Sequence, residues 1–385
     1  MSNLLSLVKV AFILFPIAVF GYNPKKIHLD TDLKSINLVG DLFNIEKVIP
    51  LETTPDNLIG TIFKLQVKND TMYIFSRKTV MLFRITGEYI GSVGKIGNGP
   101  GEMVLPTDFS VHPNGGQVAM LDNVKEELFF YNNIGKFISS QKTGLSYIAH
   151  FTWYKPDVFI FSSNFRSQGE KSFSVYLSDF KKNNSRGFLN FDPSVNGIFM
   201  MNHCQYSQYR GDQFITRDFD NSVYKLDSGD IPAPYINITF NSGTIQQADL
   251  IRFSGRPYDF IDWKNKNKKC DLGNFNEFDS YYAITYFKGD LKHTQIISKK
   301  TGAHYKINHS ANLSDPISDF LPVWAYKDYL IMVAEPFVLK QKIKQIPPTI
   351  TAKLGKNYDS LLKIDNQVND EDNPLIIFLA YNDDK

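Results

Sequence analysis

The chain has 385 residues, 43% apolar and 14% aromatic, with 42 Lys and Arg against 40 Asp and Glu and a net charge of +2. That apolar content excludes a disordered or low-complexity chain. A near-neutral balance, with only short basic clusters such as Lys264 to Lys269, excludes a sequence-independent grip on nucleic acid.

The first element in chain order is the apolar run Val10 to Phe20, preceded by Lys9 and followed at once by polar sequence. It is too short to cross a bilayer as a helix, which takes about 20 residues. Val19 and Gly21 are small enough for the −3 and −1 positions of a cleavage site, so 1–21 reads as a secretory signal. The protein is then expected to be exported, periplasmic or cell-surface. No cysteine follows the run to accept a lipid, and no later segment reaches spanning length. Residues 22–43 read as an N-terminal extension and 44–385 as the globular body.

From residue 44 onward, short apolar and aromatic runs alternate with Gly, Asn, Asp and Lys punctuation, the pattern of antiparallel strands joined by tight turns. Residues 72–94 read M-Y-I-F-S, T-V-M-L-F-R-I and E-Y-I-G-S-V-G around turns at Arg77-Lys78 and Thr86-Gly87. The same grammar returns in 117–142. A repeat of roughly 40 to 50 residues carrying about four strands is the signature of a propeller blade. Six second-strand candidates follow, at 72–76, 117–122, 158–163, 213–218, 281–287 and 329–335. Sheets apolar on both faces must stack, so the expected fold is all-β, a closed six-bladed β-propeller. The last blade ends with the strand at 374–381 and lacks an outer strand. Glu46 to Leu51 is expected to supply it and latch the ring. Helical spacing at 244–263 and 351–364 predicts two short helical insertions on the rim.

Between Gly94 and Pro106 the chain reads G-K-I-G-N-G-P-G-E-M-V-L-P, followed by D-F-S-V-H-P-N-G-G-Q-V-A-M-L-D-N. This resembles the inter-blade loop of NHL-type repeats. With V-I-P-L-E-T-T at 48–54, L-I-G at 58–60 and D-N-P-L-I-I-F at 372–378, the chain after the signal resembles the exported six-bladed β-propeller family of gut Bacteroidetes. The resemblance implies fold and compartment rather than activity. The glycines of the loop shape a blade connection: the G-K-[ST] ending and following helix of a phosphate loop are absent.

Chemistry is sparse. The seven histidines show no i, i+4 pair, and no G-x-S-x-G elbow occurs. His203-Cys204 is the one adjacent soft pair, and Cys204 and Cys270 leave open one bridge or two buried thiols. Asp108 with Asp218, or Asp122 with Asp220, could face each other across a ring. An aspartate after a second strand, as at 122 and 218, more often satisfies turn amides. Trp153, Tyr206 and Trp324 on inner strands offer flat apolar faces with polar edges, suited to sugar rings or peptide side chains.

The ligand-contact set is therefore Arg77, Asp108, His150, Trp153, His203, Tyr206, Arg217 and Trp324. The contacts are expected where d-to-a and b-to-c loops gather, including Arg77 to Thr79, Lys95 to Pro106, Asn123 to Glu126, Phe165 to Lys171 and Arg217 to Asn221. The expected role is a non-enzymatic, monomeric module that binds a glycan, glycopeptide, peptide or envelope protein. The alternatives are a metal-assisted lactonase or sugar lyase or hydrolase in the channel, with calcium held by channel carboxylates, and a structural subunit of an envelope complex.

Overall fold

The computed structural model describes residues 23–163, 165–169, 172–195, 206–307 and 324–382. Three strands precede the first complete blade: β1 (Lys25–Leu29), β2 (Ser35–Ile36) and β3 (Phe43–Pro50). Blade 1 holds β4 (Lys64–Lys68), β5 (Thr71–Ser76), β6 (Thr79–Arg84) and β7 (Tyr89–Val93). Blade 2 holds β8 (Pro106–Val111), β9 (Gln117–Asp122), β10 (Glu127–Asn132) and β11 (Phe137–Lys142). Blade 3 holds β12 (His150–Lys155), β13 (Val158–Ser162), β14 (Phe173–Asp179) and β15 (Asn184–Asn190). Blade 4 holds β16 (Tyr206–Tyr209), β17 (Asp212–Ile215), β18 (Ser222–Leu226) and β19 (Pro232–Phe240). After two helices, α1 (Gln247–Arg252) and α2 (Pro257–Lys266), blade 5 holds β20 (Cys270–Glu277), β21 (Tyr281–Lys288), β22 (Leu291–Ser298) and β23 (His304–Ile307). Blade 6 begins with β24 (Trp324–Tyr326) and β25 (Tyr329–Ala334). It passes through α3 (Pro336–Gln345), α4 (Pro348–Leu354) and α5 (Lys356–Asp365), and ends with β26 (Leu375–Tyr381).

The six small sheets form the six-bladed ring the repeat predicts, each antiparallel from inner strand a to outer strand d. Burial grades outward. Second strands such as β5 and β9 are buried at almost every residue because neighbouring sheets cover both faces, whereas the outer strand β11 (F-I-S-S-Q-K) is almost wholly exposed. This explains why second strands are the most legible elements in the sequence.

Closure follows the expected route. In blade 6, β3 pairs antiparallel with β26, with Ile377 opposite Val48 and Leu375 opposite Pro50, and so becomes the missing outer strand. The latch starts at Phe43, three residues before Glu46. The chain ahead of it also pairs: β1 runs parallel to β19, and β2 parallel to β23. One continuous stretch thus adds an edge to blades 4, 5 and 6 in turn. Leu29, Leu38, Val39 and Leu42 are buried along it.

The seam between blades 6 and 1 is stitched by Asn373, whose Oδ1 accepts from the Ile59 amide at 2.8 Å and whose Nδ2 donates to the carbonyl oxygens of Glu52 and Asn57 at 2.8 and 3.1 Å. Asn373→Ala strips three backbone groups of this partner, the Asn57 carbonyl in a buried position, and should cost about 1–2 kcal/mol, read as a lower urea midpoint at unchanged m-value.

The helical insertions fall where the spacing places them, with differences. The segment expected helical over 244–263 is two helices broken around Gly255, whose φ is +73°. The second insertion includes α3, ahead of the expected 351–364. α1 and α2 pack Leu250, Phe253 and Phe260 on Phe165 and Phe219, from the b–c loops of blades 3 and 4. α5 is tied to the latch by Asn357 Oδ1, which accepts from the Ile45 amide at 2.6 Å.

Candidate functional site at the ring axis

The six inner strands run side by side around the axis, so period-2 alternation sends every second residue into the channel. In β4, K-L-Q-V-K, this puts Lys64, Gln66 and Lys68 on the channel side. A cavity of about 160 Å³ lies there, and every blade lines it: Gln66, Ser110 with His112, Thr152 with Trp153, Tyr206 with Gln208, Asn276, and Trp324. These lining residues gather toward the ends of the inner strands that lead into the a–b hairpins. The mouth therefore opens on the a–b face, opposite the loops expected to carry the contacts. Lys64 is the lining residue of β4 furthest from that mouth.

The inner end of the cavity is organised by an ion pair between blades. Lys64 Nζ lies 2.9 Å from Asp108 Oδ1 and donates to the carbonyl oxygens of Phe109 at 2.7 Å and Phe151 at 3.3 Å. Asp108 also accepts from the amides of Phe109 (2.8 Å) and Phe151 (2.9 Å), and His150 Nδ1 stands 3.8 Å from its Oδ2. Burial pushes the Asp108 carboxyl up, but Lys64 and His150 outweigh it and hold it below the usual carboxylate range. The cluster joins blades 1, 2 and 3.

The remaining walls mix amides and hydroxyls with Lys68, His112 and apolar side chains such as Val67, Pro113 and Ala325. Gln66 Oε1 accepts from the Val111 amide at 2.9 Å, and Ser110 Oγ accepts from the Trp153 amide at 2.9 Å. Gln208 Nε2 donates to Gln213 Oε1 at 2.9 Å. These bonds fix polar side chains around an opening of mixed donor and acceptor character. Among the described residues no three His, Cys, Asp or Glu side chains group closely enough to hold a metal ion.

The expected contact residues separate into three groups. Asp108 and His150 stand together in the ion-pair cluster, while Trp153, Tyr206 and Trp324 line the cavity. Trp153 does so from a packed position: the residue is 4% exposed, its Nε1 donates to the Pro156 carbonyl oxygen at 2.9 Å, and its ring centroid lies 5.0 Å from that of Phe159 and 5.4 Å from that of Phe130. Tyr206 and Trp324 are partly exposed. Arg77 and Arg217 sit on the other face, in b–c loops. Arg217 is a clamp, bonded to Asp220 at 2.6 Å and to the Leu189 carbonyl oxygen at 3.0 Å. His203, with Cys204, lies outside the described residues; Cys270 is a buried free thiol.

The paired aspartates find other partners. Asp122 takes the amides of Val104, Leu105, Val124 and Lys125, the turn role expected of it. The glycine loop also has a structural basis. A Cβ at Gly97 would fall 2.1 Å from Glu102 Oε2, and one at Gly101 2.7 Å from the Phe137 ring. Lys64, Gln66, Gln208 and Asn276 were not singled out from sequence, although alternating polar residues just before each second strand mark them.

The fold and the axial cavity define a six-bladed β-propeller with a polar recess at its centre. Residues 25–380 match the family described as a domain of unknown function, DUF4934, and the chain belongs to that family. No curated protein matches it. Among solved structures it is similar to a Bacteroides fragilis protein described as exported, with 15% identity, a TM-score of 0.73, and 93% of this chain and 100% of that one covered. It is also similar to a DUF4221 family member from Bacteroides vulgatus, with 10% identity, a TM-score of 0.52, and 88% and 97% covered.

Proposed function

We propose that the protein is an exported, non-enzymatic binding module that holds one terminal group of a glycan or glycopeptide in the axial recess. Export is supported by the apolar run at 10–20 and by the description of the similar B. fragilis protein. The observation that carries the ligand class is the lining itself: amides and hydroxyls from blades 1 to 5, with the partly exposed rings of Tyr206 and Trp324 at the wall. Fixed amides bond hydroxyl groups in either sense, and an aromatic face stacks on the C–H side of a sugar ring. A volume of about 160 Å³ is well below the roughly 300–1,000 Å³ of sites that enclose a drug-sized ligand. The recess therefore takes a single ring, and the rest of the ligand lies on the a–b face.

The test is a glycan array followed by calorimetry on the purified full-length ring. Trp324→Ala should weaken binding of the selected saccharide by about tenfold or more, with the melting temperature little changed, since this ring is partly exposed. An array with no ligand, or equal affinity for Trp324→Ala and the parent, overturns the reading.

A further inference from the structure

The wall of the recess built by blades 1 and 2 differs from the rest in what it offers a ligand. Gln66 and Lys68 stand about 7 Å apart along the channel side of β4, and His112 directly follows β8, the neighbouring inner strand. All three line the cavity. The two strands are tied at this point, because Gln66 Oε1 accepts from the amide of Val111, the residue before His112.

On this wall the acceptor atoms are engaged and the donors are left. The 2.9 Å bond from Val111 orients the Gln66 amide, with its oxygen in use and its Nε2 hydrogens available. His112 Nδ1 accepts from the Asn114 amide at 3.1 Å, so the ring proton sits on Nε2. Burial and then the Lys68 charge push this imidazole below its ordinary value, against a weaker pull from Asp157, so at pH 7 it is a neutral N–H donor. The Trp153 indole holds the ring edge to face, with centroids 4.7 Å apart. Lys68 carries three donors and no acceptor.

The two lysines of β4 differ in how they are satisfied. Lys64 directs its three N–H groups at Asp108 and at the carbonyl oxygens of Phe109 and Phe151, so neither its charge nor its donors remain for a ligand. Lys68, at the mouth, has no carboxylate within ion-pair distance among the described residues. Asp70, in the turn that follows, accepts from the Tyr326 hydroxyl at 3.3 Å. No Asp or Glu among the described residues lines the cavity.

We infer that the sugar unit held in the recess carries an anionic substituent, a carboxylate or a sulfate ester, which lies against Lys68, His112 and Gln66 at the mouth. This rests on the reading of the recess as a glycan site and adds the sign of the ligand's charge. A hydroxyl would meet these donors with one oxygen that already bears a proton. A carboxylate or sulfate presents several oxygens that only accept, and its bonds from a cation are shorter and stronger than neutral ones.

The test is a glycan array that carries each neutral hexose beside its uronic acid and its 6-sulfate, with the best-bound matched set taken to calorimetry on the full-length protein. The charged members are expected to bind about tenfold or more tighter than the neutral one at low salt, and the gap should narrow as salt rises. Lys68→Met should close the gap while leaving the affinity for the neutral sugar as it was, which also shows that the variant is folded. Lys68→Glu should invert the preference. A neutral sugar bound as tightly as its charged counterparts, and still weakened by Trp324→Ala, overturns this inference and leaves the glycan reading standing. So does a gap unchanged in Lys68→Met, or binding of sodium acetate or sodium sulfate as tight as that of the charged sugar. An array without any ligand overturns both.

Discussion

Asp108→Ala is expected to destabilise the ring by about 3–5 kcal/mol, measured as the loss of unfolding free energy in urea at pH 7. The substitution strips three donors at once. Lys64 keeps its charge in a site where its side chain is only 13% exposed, and the amides of Phe109 and Phe151 lose their acceptor. Removing one member of a buried pair costs more than the pair contributes, because the survivor cannot rehydrate. Asp108→Asn, which preserves hydrogen-bonding capacity but not charge, should lose less. Combining it with Lys64→Met should recover most of the stability, since no unpaired charge then remains. A double variant as unstable as the alanine variant would show that the packing around the cluster, not the charge, is at stake.

The pH dependence of this cluster has a definite sign. The folded-state carboxyl lies below its ordinary value, so its contribution is present above the unfolded pKa of about 4 and is lost as pH falls through the lowered folded value. Asp108→Asn should therefore flatten the acid limb of the stability profile. Because the cluster bridges blades 1, 2 and 3 at the inner end of the recess, its loss should also loosen the wall formed by Gln66 and Ser110.

Much of the ring was legible because blade stacking imposes a strong local code. A strand covered on both faces must be apolar at nearly every residue, and four of the six second strands found in sequence begin with β9, β13, β21 and β25 themselves, while the other two begin one residue inside β5 and β17. Outer strands face solvent and carry weak signals. β2, two residues long, and the partly exposed β1 are stabilised by parallel partners some 200 residues away or more, so their sequences, K-K-I-H-L and S-I, say little of their pairing. The latch was legible because the last blade was one strand short.

The site was legible only in part. Aromatic content pointed to Trp153, Tyr206 and Trp324, but whether an indole lines a wall or fills a core depends on neighbours from the adjacent blade, such as Phe130 against Trp153. Asp108 stood out as a carboxylate. Its partner Lys64 comes from another blade, a pairing that only the closed ring brings about.

Asp271 should give the opposite pH signature, and Asp271→Asn should stabilise the protein at pH 8 by about 2–4 kcal/mol while changing little at pH 4. The residue is the second of β20, beneath the helical insertion, and is 1% exposed. Its Oδ1 accepts from the Phe219 amide at 2.9 Å, and its Oδ2 has no hydrogen-bond partner among the described residues. Burial pushes it up to about 7, with Lys264 opposing and Asp220 adding to the rise. An acid raised in the folded state binds its proton more tightly there than in the unfolded chain, so its contribution is greatest below about pH 4 and declines until pH passes about 7. Asparagine keeps the bond to Phe219 and has no proton to lose. Phe219 packs on Phe260 of α2 at 5.1 Å, so the strain of ionising Asp271 falls on the junction between the helical insertion and blade 4. Amide exchange in α2 should accelerate between pH 5 and 8 beyond the intrinsic rate in the parent and not in Asp271→Asn. If the variant is instead less stable at pH 8, attraction between the Asp271 carboxylate and Lys264 outweighs desolvation, and the junction is held by a charged pair.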